Sequence, residues 1–251
     1  MNKKFIGIYD VFSAMIVNSV HKDLFLSGLS YTASNYGLPD IGFMGWEDVI
    51  STAAKIKSRC RGVNLLVDID DGFGGAEIAS FVVRELEKIG VWGVVLEDQA
   101  RPKRCGHVEG KKILPVENYL TTLEAVVQTS RNLRVVARTD STEFDEQVKR
   151  LDIFSKYRIY AALVDGVSVE RYFELKKWTN NKLFLNYIHG GNASIDKKLV
   201  NSVDCMIFST SCLGGAGSAV IQTVRAIKEN SIFNNPQGLS LNEIRDITEK
   251  F

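Results

Sequence analysis

The sequence predicts a closed (β/α)8 barrel of the TIM type, an α/β fold, formed as a single domain over residues 1–251. Three observations support this fold class. Eight apolar runs alternate with segments of helical periodicity, the runs are apolar almost throughout, and 251 residues with 45% hydrophobic content can bury a large core. Strands that are buried on both faces are typical of parallel sheets. The count of eight favours a barrel over an open doubly wound sheet.

The individual elements follow from the hydrophobic periodicity of the chain. The predicted strands cover residues 5–9, 24–26, 63–69, 91–96, 133–137, 159–164, 182–186 and 205–208. The predicted helices cover residues 11–20, 46–57, 76–89, 116–129, 144–156, 169–178 and 217–228. The helix over residues 76–89 is representative, because its apolar residues form one stripe and its charged residues lie elsewhere.

A further helix is predicted beyond the eighth unit, over residues 239–250. Leu241, Ile244 and Ile247 recur there at helical spacing. Ser240 can cap this helix, and Glu243 completes a capping box three residues later. The apolar face must be buried either on the same barrel or on a neighbouring subunit, and the sequence leaves both open.

The composition argues against nucleic-acid and membrane partners. Lys and Arg total 31 and Asp and Glu total 30, so the net charge of +1 gives no global attraction to a polyanion. No apolar run reaches the roughly 18 to 20 residues that cross a bilayer. The four cysteines lack metal-finger spacing, and the opening MNKKFIGIYD does not resemble a secretory signal peptide. We therefore expect a protein of the reducing cytoplasm.

Carboxylates gather at the ends of the predicted strands, where the active sites of such barrels lie. Asp68 and Asp70 end the third strand, on which alternate side chains share a face, and Glu97 follows the fourth. Converging carboxylates repel one another unless a cation joins them, and their oxygens suit Mg2+, or Mn2+ in its place. The alternative is that they cap helices or form a salt bridge to Arg138.

Arg138 stands at the end of the apolar strand over residues 133–137. A buried guanidinium there needs carboxylate partners or an anionic ligand, because an unpaired buried charge is costly. Arg138 is therefore a candidate for binding an anionic substrate. The other polar residues at strand ends are Asp10, Ser27 with the adjacent Gly28, Asp98, Asp140, Asp165, Asn186, Ser209 and Ser211.

The loop after the fourth strand contains the pentapeptide KRCGH. Lys103, Arg104 and His107 bracket Cys105, and their positive charges stabilise a thiolate and favour proton transfer near neutral pH. Glycines in the loop allow it to open and close. The alternative is an inert buried thiol, but buried cysteines are rarely surrounded by cations.

Four stretches carry a resemblance to the isocitrate lyase and phosphoenolpyruvate mutase superfamily that extends over nearly the whole chain. They are SGLSYTASNYGLPD at residues 27–40, VDIDDGFGG at 67–75, LEDQ with KRCGH within 96–107, and VVARTD at 135–140. KRCGH is the most specific of them. It is similar to the lyase branch, which includes methylisocitrate lyase, dimethylmalate lyase and oxaloacetate hydrolase, whereas the mutases and phosphonopyruvate hydrolases have a different loop.

The resemblance implies a barrel that binds Mg2+ and a carboxylate substrate. It also implies a homo-oligomer, a dimer or tetramer formed by exchange of the C-terminal helix. In the implied mechanism, a 2-keto acid unit coordinates the metal, a carbon–carbon bond breaks to an enolate stabilised by the metal, and the loop cysteine reprotonates it.

The resemblance also assigns roles to single residues. Those implied to hold the metal, directly or through water, are Asp68, Asp70, Glu97 and Asp40. Those implied to bind the substrate are Ser27, Gly28, Leu29, Arg104, Gly106, Arg138, Asp165 and Asn186. Those implied to act in catalysis are Cys105 as general acid and Arg138 as the charge that stabilises the enolate. His107 and Lys103 are implied to adjust the acidity of Cys105 or to bind the second carboxylate.

Three departures from the family pattern lie in the substrate pocket. Asp71 stands where the family has threonine, and Asp165 stands where the lyases have glutamate. Ile188 and His189 replace the threonine and glutamate that follow Asn186 in the family. These changes point to an unusual substrate.

The sequence therefore predicts a Mg2+-dependent carbon–carbon lyase that acts on a 2-hydroxy di- or tricarboxylate and releases a keto acid. The alternative is phosphorus–carbon chemistry of the phosphoenolpyruvate mutase or phosphonopyruvate hydrolase type, which Cys105 disfavours because a proton donor would quench the enolate. A third hypothesis is an inactive barrel that acts as a binding protein, as the replacements in the pocket would allow.

Overall fold

The computed structural model describes residues 2–104, 110–188, 201–229 and 238–249. Within these residues, eight parallel strands pair in sequence order and close into a barrel, as predicted. The strands are β1 (Lys3–Ile8), β2 (Asp23–Leu26), β3 (Asn64–Asp68), β4 (Gly93–Glu97), β5 (Arg134–Thr139), β6 (Ala161–Val164), β7 (Leu183–Asn186) and β8 (Cys205–Phe208). The predicted (β/α)8 fold class is confirmed.

Helices follow the strands and cover the outside of the barrel. In the described residues they are α1 (Val11–Val20), α2 (Gly28–Tyr36), α3 (Trp46–Arg59), α4 (Ala76–Ile89), α5 (Val116–Thr129), α6 (Phe144–Phe154), α7 (Val169–Lys176), α8 (Ser211–Lys228) and α9 (Leu241–Glu249). No helix among them is both long and apolar enough to cross a membrane.

The core forms two layers, because successive strand residues point to opposite faces. In β3, Leu66 points into the barrel, whereas Leu65 and Val67 pack against the helices. Every strand contributes to the inner layer, whose buried members include Phe5, Phe25, Leu66, Val95, Val136, Leu163, Phe184 and Ile207. The filled interior leaves the carboxyl ends of the strands as the open mouth of the barrel.

The barrel closes where β1 pairs with β8. Lys3, Lys4, Phe5 and Ile6 pair with Cys205, Met206, Ile207 and Phe208. Gly7 permits the close approach, because a Cβ at this position would lie 2.2 Å from the carbonyl oxygen of Ser209. The first and last strands of the chain therefore form one continuous wall.

Two helices differ from the sequence prediction. Residues 28–36, predicted as part of a loop, form α2, which Ser27 caps by accepting a hydrogen bond from the backbone N–H of Ser30 at 3.3 Å. Helix α8 begins at Ser211 rather than at residue 217. Both segments are rich in small and polar residues, so the apolar stripe that marks the other helices is weak there.

The predicted C-terminal helix is present as α9, and its packing is incomplete. Ser240 and Glu243 form the predicted capping box, with the Ser240 N–H donating to Glu243 Oε2 at 2.8 Å and the Glu243 N–H donating to Ser240 Oγ at 3.2 Å. α9 packs against α1. Even so, Leu241 remains 82% exposed. The described barrel therefore buries only part of the apolar face of α9.

Candidate active site

The polar residues at the strand ends surround a cleft at the mouth of the barrel. The lining residues are Phe25, Ser27, Leu29, Asp40, Asp68, Val95, Arg138, Leu163, Asp165, Asn186, Ile188, Ile207 and Ser209. Most of the predicted site residues in the described part of the chain belong to this lining or contact it. The carboxyl ends of the strands therefore form the candidate active site, as the fold leads us to expect.

Asp68 and Asp70 are both buried. Contrary to the sequence prediction, they do not project from one face of an extended strand. β3 ends at Asp68, and Asp70 lies in the following turn with a φ of +48°. The carboxylate of Asp68 accepts hydrogen bonds from the N–H of Gly28 at 3.3 Å and from the N–H of Asp70 at 3.4 Å. Burial, together with the neighbouring charge of Asp70, raises the pKa of Asp68 to about 6.

The Lys103 ammonium lies among the carboxylates predicted to bind the metal. The Lys103 side chain is 1% exposed and forms a short hydrogen bond with Asp70. Its Nζ lies 3.1 Å from Asp40 Oδ1 and 3.6 Å from Glu97 Oε1. Burial alone would lower the pKa of Lys103, but the charges of Asp70, Glu97 and Asp40 outweigh it and raise the pKa. Lys103 is therefore an internal counterion of this cluster.

Arg138, at the end of β5, is buried among carboxylates on three sides. Its guanidinium forms two hydrogen bonds with Asp140, Nε to Oδ2 at 2.9 Å and Nη2 to Oδ1 at 3.0 Å. Nη2 also lies 2.9 Å from Asp165 Oδ2 and 3.2 Å from Glu97 Oε2. Burial alone would lower the pKa of Arg138, but Asp140, Asp165 and Glu97 raise it further than burial lowers it. Arg138 is thus held fully charged at the mouth of the barrel.

The remaining predicted substrate residues lie on both sides of Arg138. Asn186 Nδ2 donates to Asp165 Oδ1 at 2.9 Å, so these two side chains form one unit with Arg138. Ser27 and Leu29 bring the N-terminus of α2 to the cleft. Helix N-termini attract anions, because their first N–H groups lack partners within the helix. This side of the cleft is suited to a carboxylate.

The loop after β4 is described up to residue 104. The exposed Arg104 is fixed through its backbone, because its N–H donates to Gln99 Oε1 at 2.8 Å and its carbonyl accepts from Gln99 Nε2 at 2.7 Å. The predicted residues Cys105, Gly106 and His107, and the departure His189, lie outside the described residues. Their assigned roles stay predictions.

The sequence reasoning passed over a supporting network behind Arg138. Asp98 accepts a hydrogen bond from the N–H of Asp140 at 2.9 Å and forms an ion pair with Arg150 Nη1 at 2.8 Å. Burial raises the pKa of Asp98. The sequence identifies Asp98 and Asp140 as carboxylates at strand ends. Arg150 lies within α6, and the sequence does not indicate that it pairs with Asp98. The network fixes the backbone that presents Arg138.

The donor atoms of the cluster fit a hard divalent cation. The carboxylate oxygens Asp70 Oδ2, Glu97 Oε1 and Glu97 Oε2 are buried and accept no hydrogen bond, although Glu97 forms ion pairs with Lys103 and Arg138. Burial raises the pKa of Glu97 well above its ordinary value, although Lys103 and Arg138 oppose the shift. In the described part of the chain, no group of three or more Asp, Glu, His or Cys residues is already arranged as a metal site. The Lys103 ammonium lies between three of the four predicted ligands.

Comparison with known proteins identifies the family. The family described as phosphoenolpyruvate phosphomutase matches residues 3–158, which is more than half of the chain. The chain belongs to the phosphoenolpyruvate mutase/isocitrate lyase superfamily. This confirms the resemblance seen in the four sequence stretches.

Within this superfamily, the chain is similar to proteins named as lyases. It is 35% identical over 171 residues to a 2-methylisocitrate lyase of Bacillus subtilis, a match that covers 66% of this chain and 56% of the relative. It is 34% identical over 150 residues to the 2,3-dimethylmalate lyase of Eubacterium barkeri, covering 57% of this chain and 52% of the relative. The matched regions thus span little more than half of these relatives.

Superfamily structures match over more of the chain. Oxaloacetate acetylhydrolase in complex with the inhibitor 3,3-difluorooxalacetate superposes with a TM-score of 0.90 at 28% identity, covering 98% of this chain and 87% of that one. Phosphonopyruvate hydrolase in complex with oxalate and Mg2+ superposes with a TM-score of 0.83 at 20% identity, covering 98% and 89%. At that lower identity the likeness concerns the fold alone.

Proposed function

We propose that this protein is a Mg2+-dependent carbon–carbon lyase that cleaves a 2-hydroxy di- or tricarboxylate of the methylisocitrate or dimethylmalate type and releases a keto acid. The observation that carries the proposal is the placement of Arg138 beside the cluster of Asp68, Asp70 and Glu97 at one barrel mouth. The lyase names of the relatives and the KRCGH loop support the same reaction class.

Substrate binding would begin with its anionic groups. The N-terminus of α2, at Ser27, Gly28 and Leu29, would receive the carboxylate of the keto acid unit, because helix N-termini stabilise negative charge. Arg138 would neutralise the charge that develops as the carbon–carbon bond breaks. Asp165 and Asn186 would keep the Arg138 guanidinium in place through the contacts described above. The substrate would thus lie between a helix end and a fixed cation.

Asp68, Asp70, Glu97 and Asp40 would hold the metal, which would be Mg2+, with Mn2+ as a substitute. A bound divalent cation would supply positive charge and orientation for the oxygens of the keto acid unit. The buried carboxylate oxygens that lack donors support this assignment.

The bond-breaking step needs a base for the substrate hydroxyl and an acid for the departing fragment. The hydroxyl would lose its proton to a carboxylate that lines the cleft and would become the carbonyl of the keto acid. The electrons of the broken bond would leave with the other fragment as an enolate. Cys105 would then donate a proton to that enolate, with Arg104 and His107 adjusting its acidity or binding a second carboxylate. Lys103 would add its positive charge from its place among the carboxylates of the cluster. Gly106 would allow the backbone of this loop to approach the substrate.

The direct test incubates the purified protein and Mg2+ with malate derivatives, isocitrate analogues, oxaloacetate, phosphoenolpyruvate and phosphonopyruvate, followed by proton and phosphorus NMR. Keto acid release from one carboxylate, lost in Cys105→Ser and kept in Cys212→Ser, is the expected result. Cys212 is the matched control because it is a half-buried thiol on α8.

The same experiment separates the rival functions. Interconversion of a phosphonate that survives Cys105→Ser would establish phosphorus–carbon chemistry, the activity named by the matching family. Binding of oxalate without turnover of any compound would establish a binding protein. Either outcome would overturn the lyase proposal.

We also propose that the chain forms a homo-oligomer through its C-terminal helices. No residue of α8 is buried by the described residues of this chain. Val220, Ile221, Val224 and Ile227 form an apolar stripe along α8 and are 63%, 54%, 45% and 54% exposed. A stripe of this size on a soluble protein is typical of an interface. A second copy of the chain, which would present the same helices, is the partner we propose.

A further inference from the structure

Two cations of the loop after β4 reach across the mouth of the barrel to the same two neighbouring loops. Lys103 contacts Asp70 in the loop after β3 and Asp40 in the loop after α2. Arg101 contacts the same two loops from a more exposed position, because it pairs with Asp71 and lies against Gly42. The three loops are thus joined by two parallel crosslinks.

The outer crosslink has the geometry of a specific ion pair. Arg101 Nη2 donates to Asp71 Oδ1 at 2.6 Å, and Arg101 Nε donates to Asp71 Oδ2 at 2.9 Å. Asp71 is only 9% exposed, and its Oδ1 also accepts from the N–H of Phe73 at 3.2 Å, which fixes the carboxylate on its own turn. Bidentate pairs of this kind are directional as well as attractive.

Gly42 provides the space that Arg101 occupies. A Cβ at this position would lie 2.9 Å from Arg101 Nη1 and 3.4 Å from Lys103 Cγ, and the residue has a φ of +91°. A side chain at this position would therefore push against the Arg101 guanidinium, whereas its contact with Lys103 would be an ordinary van der Waals contact. The loop after α2 is shaped around this arginine.

Arg101 and Lys103 belong to one compact turn, so the position of one affects the other. The side-chain amide of Gln99 closes this turn through two hydrogen bonds with the backbone of Arg104, at 2.8 Å and 2.7 Å. The base of the loop is held by the Gln99–Ile113 bridge and by the N–H of Ala100, which donates to the carbonyl of Lys112 at 2.8 Å. Movement of Arg101 would carry Lys103 with it.

We propose that Asp71 and Arg101 are positioning residues that hold the loop after β4 so that the Lys103 ammonium stays among Asp40, Asp70 and Glu97. Asp71 is one of the departures from the family pattern that the sequence indicates, and we call its ion pair with Arg101 the clamp. The proposal rests on the proposed lyase function only for its effect on turnover, since the position of Lys103 can be measured without substrate.

The test is a double-mutant cycle of Asp71→Asn, Arg101→Gln and the combined variant. The first readout is the acylation rate of Lys103 under a pulse of acetic anhydride, followed by mass spectrometry. Each single variant should raise the rate about fivefold, as expected for loss of a well-formed exposed ion pair. The combined variant should raise it no further, because the two residues act through one contact.

Two controls separate positioning from loss of stability. Asp23→Asn removes a similar ion pair, with Lys3 at 2.7 Å, at the opposite end of the barrel and should leave the Lys103 rate unchanged. Lys57, whose Nζ donates to the carbonyl of Val63 at 3.2 Å, should keep its own acylation rate in all variants. General loosening would instead accelerate both lysines.

Turnover provides the second readout. With a substrate found as above, the single variants should lower kcat/KM and the double variant should lower it no further. An unchanged Lys103 rate in both single variants, or effects that multiply in the double variant, would overturn the clamp. Failure of the wild type to release any keto acid would overturn the lyase function alone, because the acylation cycle would still decide the clamp.

Discussion

Arg138 binds Asp140, two residues later in the chain, through two parallel hydrogen bonds of 2.9 and 3.0 Å. Both side chains are buried, and the backbone of Asp140 is itself held by Asp98. Arg138 therefore has a fixed orientation before any ligand arrives. Such preorganisation lets a charge stabilise a transition state without first having to reorient.

Replacing Arg138 with Gln should reduce both stability and turnover. Three buried carboxylates, those of Asp140, Asp165 and Glu97, would lose their cation, and removal of one partner of a buried pair costs about 3–5 kcal/mol. We expect urea denaturation to show a loss of that size, and kcat/KM to fall by about 10²-fold or more. Arg134→Gln, at the exposed start of the same strand, is the matched control. Equal effects of the two variants would contradict a special role for Arg138.

Replacing Lys103 with Met should increase the affinity for divalent cations. The ammonium now neutralises Asp70, Asp40 and Glu97, so a metal must bind against its positive charge. We expect calorimetry to show Mn2+ binding tighter by about fivefold or more, the range of typical coupling between sites. The rise in Tm on adding Mg2+ should also be larger than in the wild type.

Lys112→Met provides the charge control for that measurement, because Lys112 is an exposed lysine of the same loop. It should leave the Mn2+ affinity unchanged. Weaker Mn2+ binding in Lys103→Met than in the wild type would show that the ammonium does not compete with the metal for these carboxylates.

Glu87 should make stability depend on pH. Its carboxylate accepts hydrogen bonds from the N–H groups of Arg131, Asn132 and Leu133 at 3.1, 2.5 and 3.0 Å. Burial alone would raise the pKa of Glu87, but these donors lower it overall. A lowered pKa in the folded state means that the stabilisation is present above the pKa of the unfolded chain and is lost as the pH falls through the folded-state value.

Glu87→Gln should therefore be less stable than the wild type by about 1 kcal/mol at neutral pH, and the gap should close in acid. Urea denaturation as a function of pH measures this difference. Glu85→Gln, which removes an exposed pair with Lys88, should show a gap close to zero throughout. A Glu87→Gln gap that widens as the pH falls would contradict the assignment.

Charging the stripe on α8 should break the proposed oligomer. Ile221→Asp combined with Val224→Asp would place two carboxylates in the apolar contact, and burying an unpaired charge is costly. We expect light scattering to show a smaller particle than for the wild type. Gln222→Asp, on the opposite side of the same helix, should keep the wild-type mass. A wild type that is already monomeric at high concentration would rule out the interface.

The sequence was sufficient to predict the barrel and to identify the polar residues at its strand ends. Asp68, Glu97 and Arg138 could be assigned to one mouth because parallel strands all end on the same side, so their order in the chain fixes their placement. The burial of Arg138 among carboxylates followed from its position after an apolar strand. Helix α2 was missed because it is small and polar and depends on the cap at Ser27.

The contacts between loops could not be predicted, because they depend on backbone turns rather than on periodicity. Asp70 reaches the site from a left-handed turn, not from an extended strand. Lys103 was expected beside Cys105 as a neighbour in sequence, yet its ammonium lies among carboxylates from three other segments. The Asp71–Arg101 pair joins residues 30 positions apart, and the sequence around either residue does not indicate that the two form a pair.

The pairing of β1 with β8 also sets the order of events during synthesis. Residues 3–6 emerge from the ribosome before their partners at 205–208, which follow about 200 residues later, a delay of roughly 10 to 40 s at ordinary translation rates. Until then β1 has an open edge that can pair with another chain. Chains that end before Cys205 never complete the ring, so we expect them to collect in the insoluble fraction of the cell.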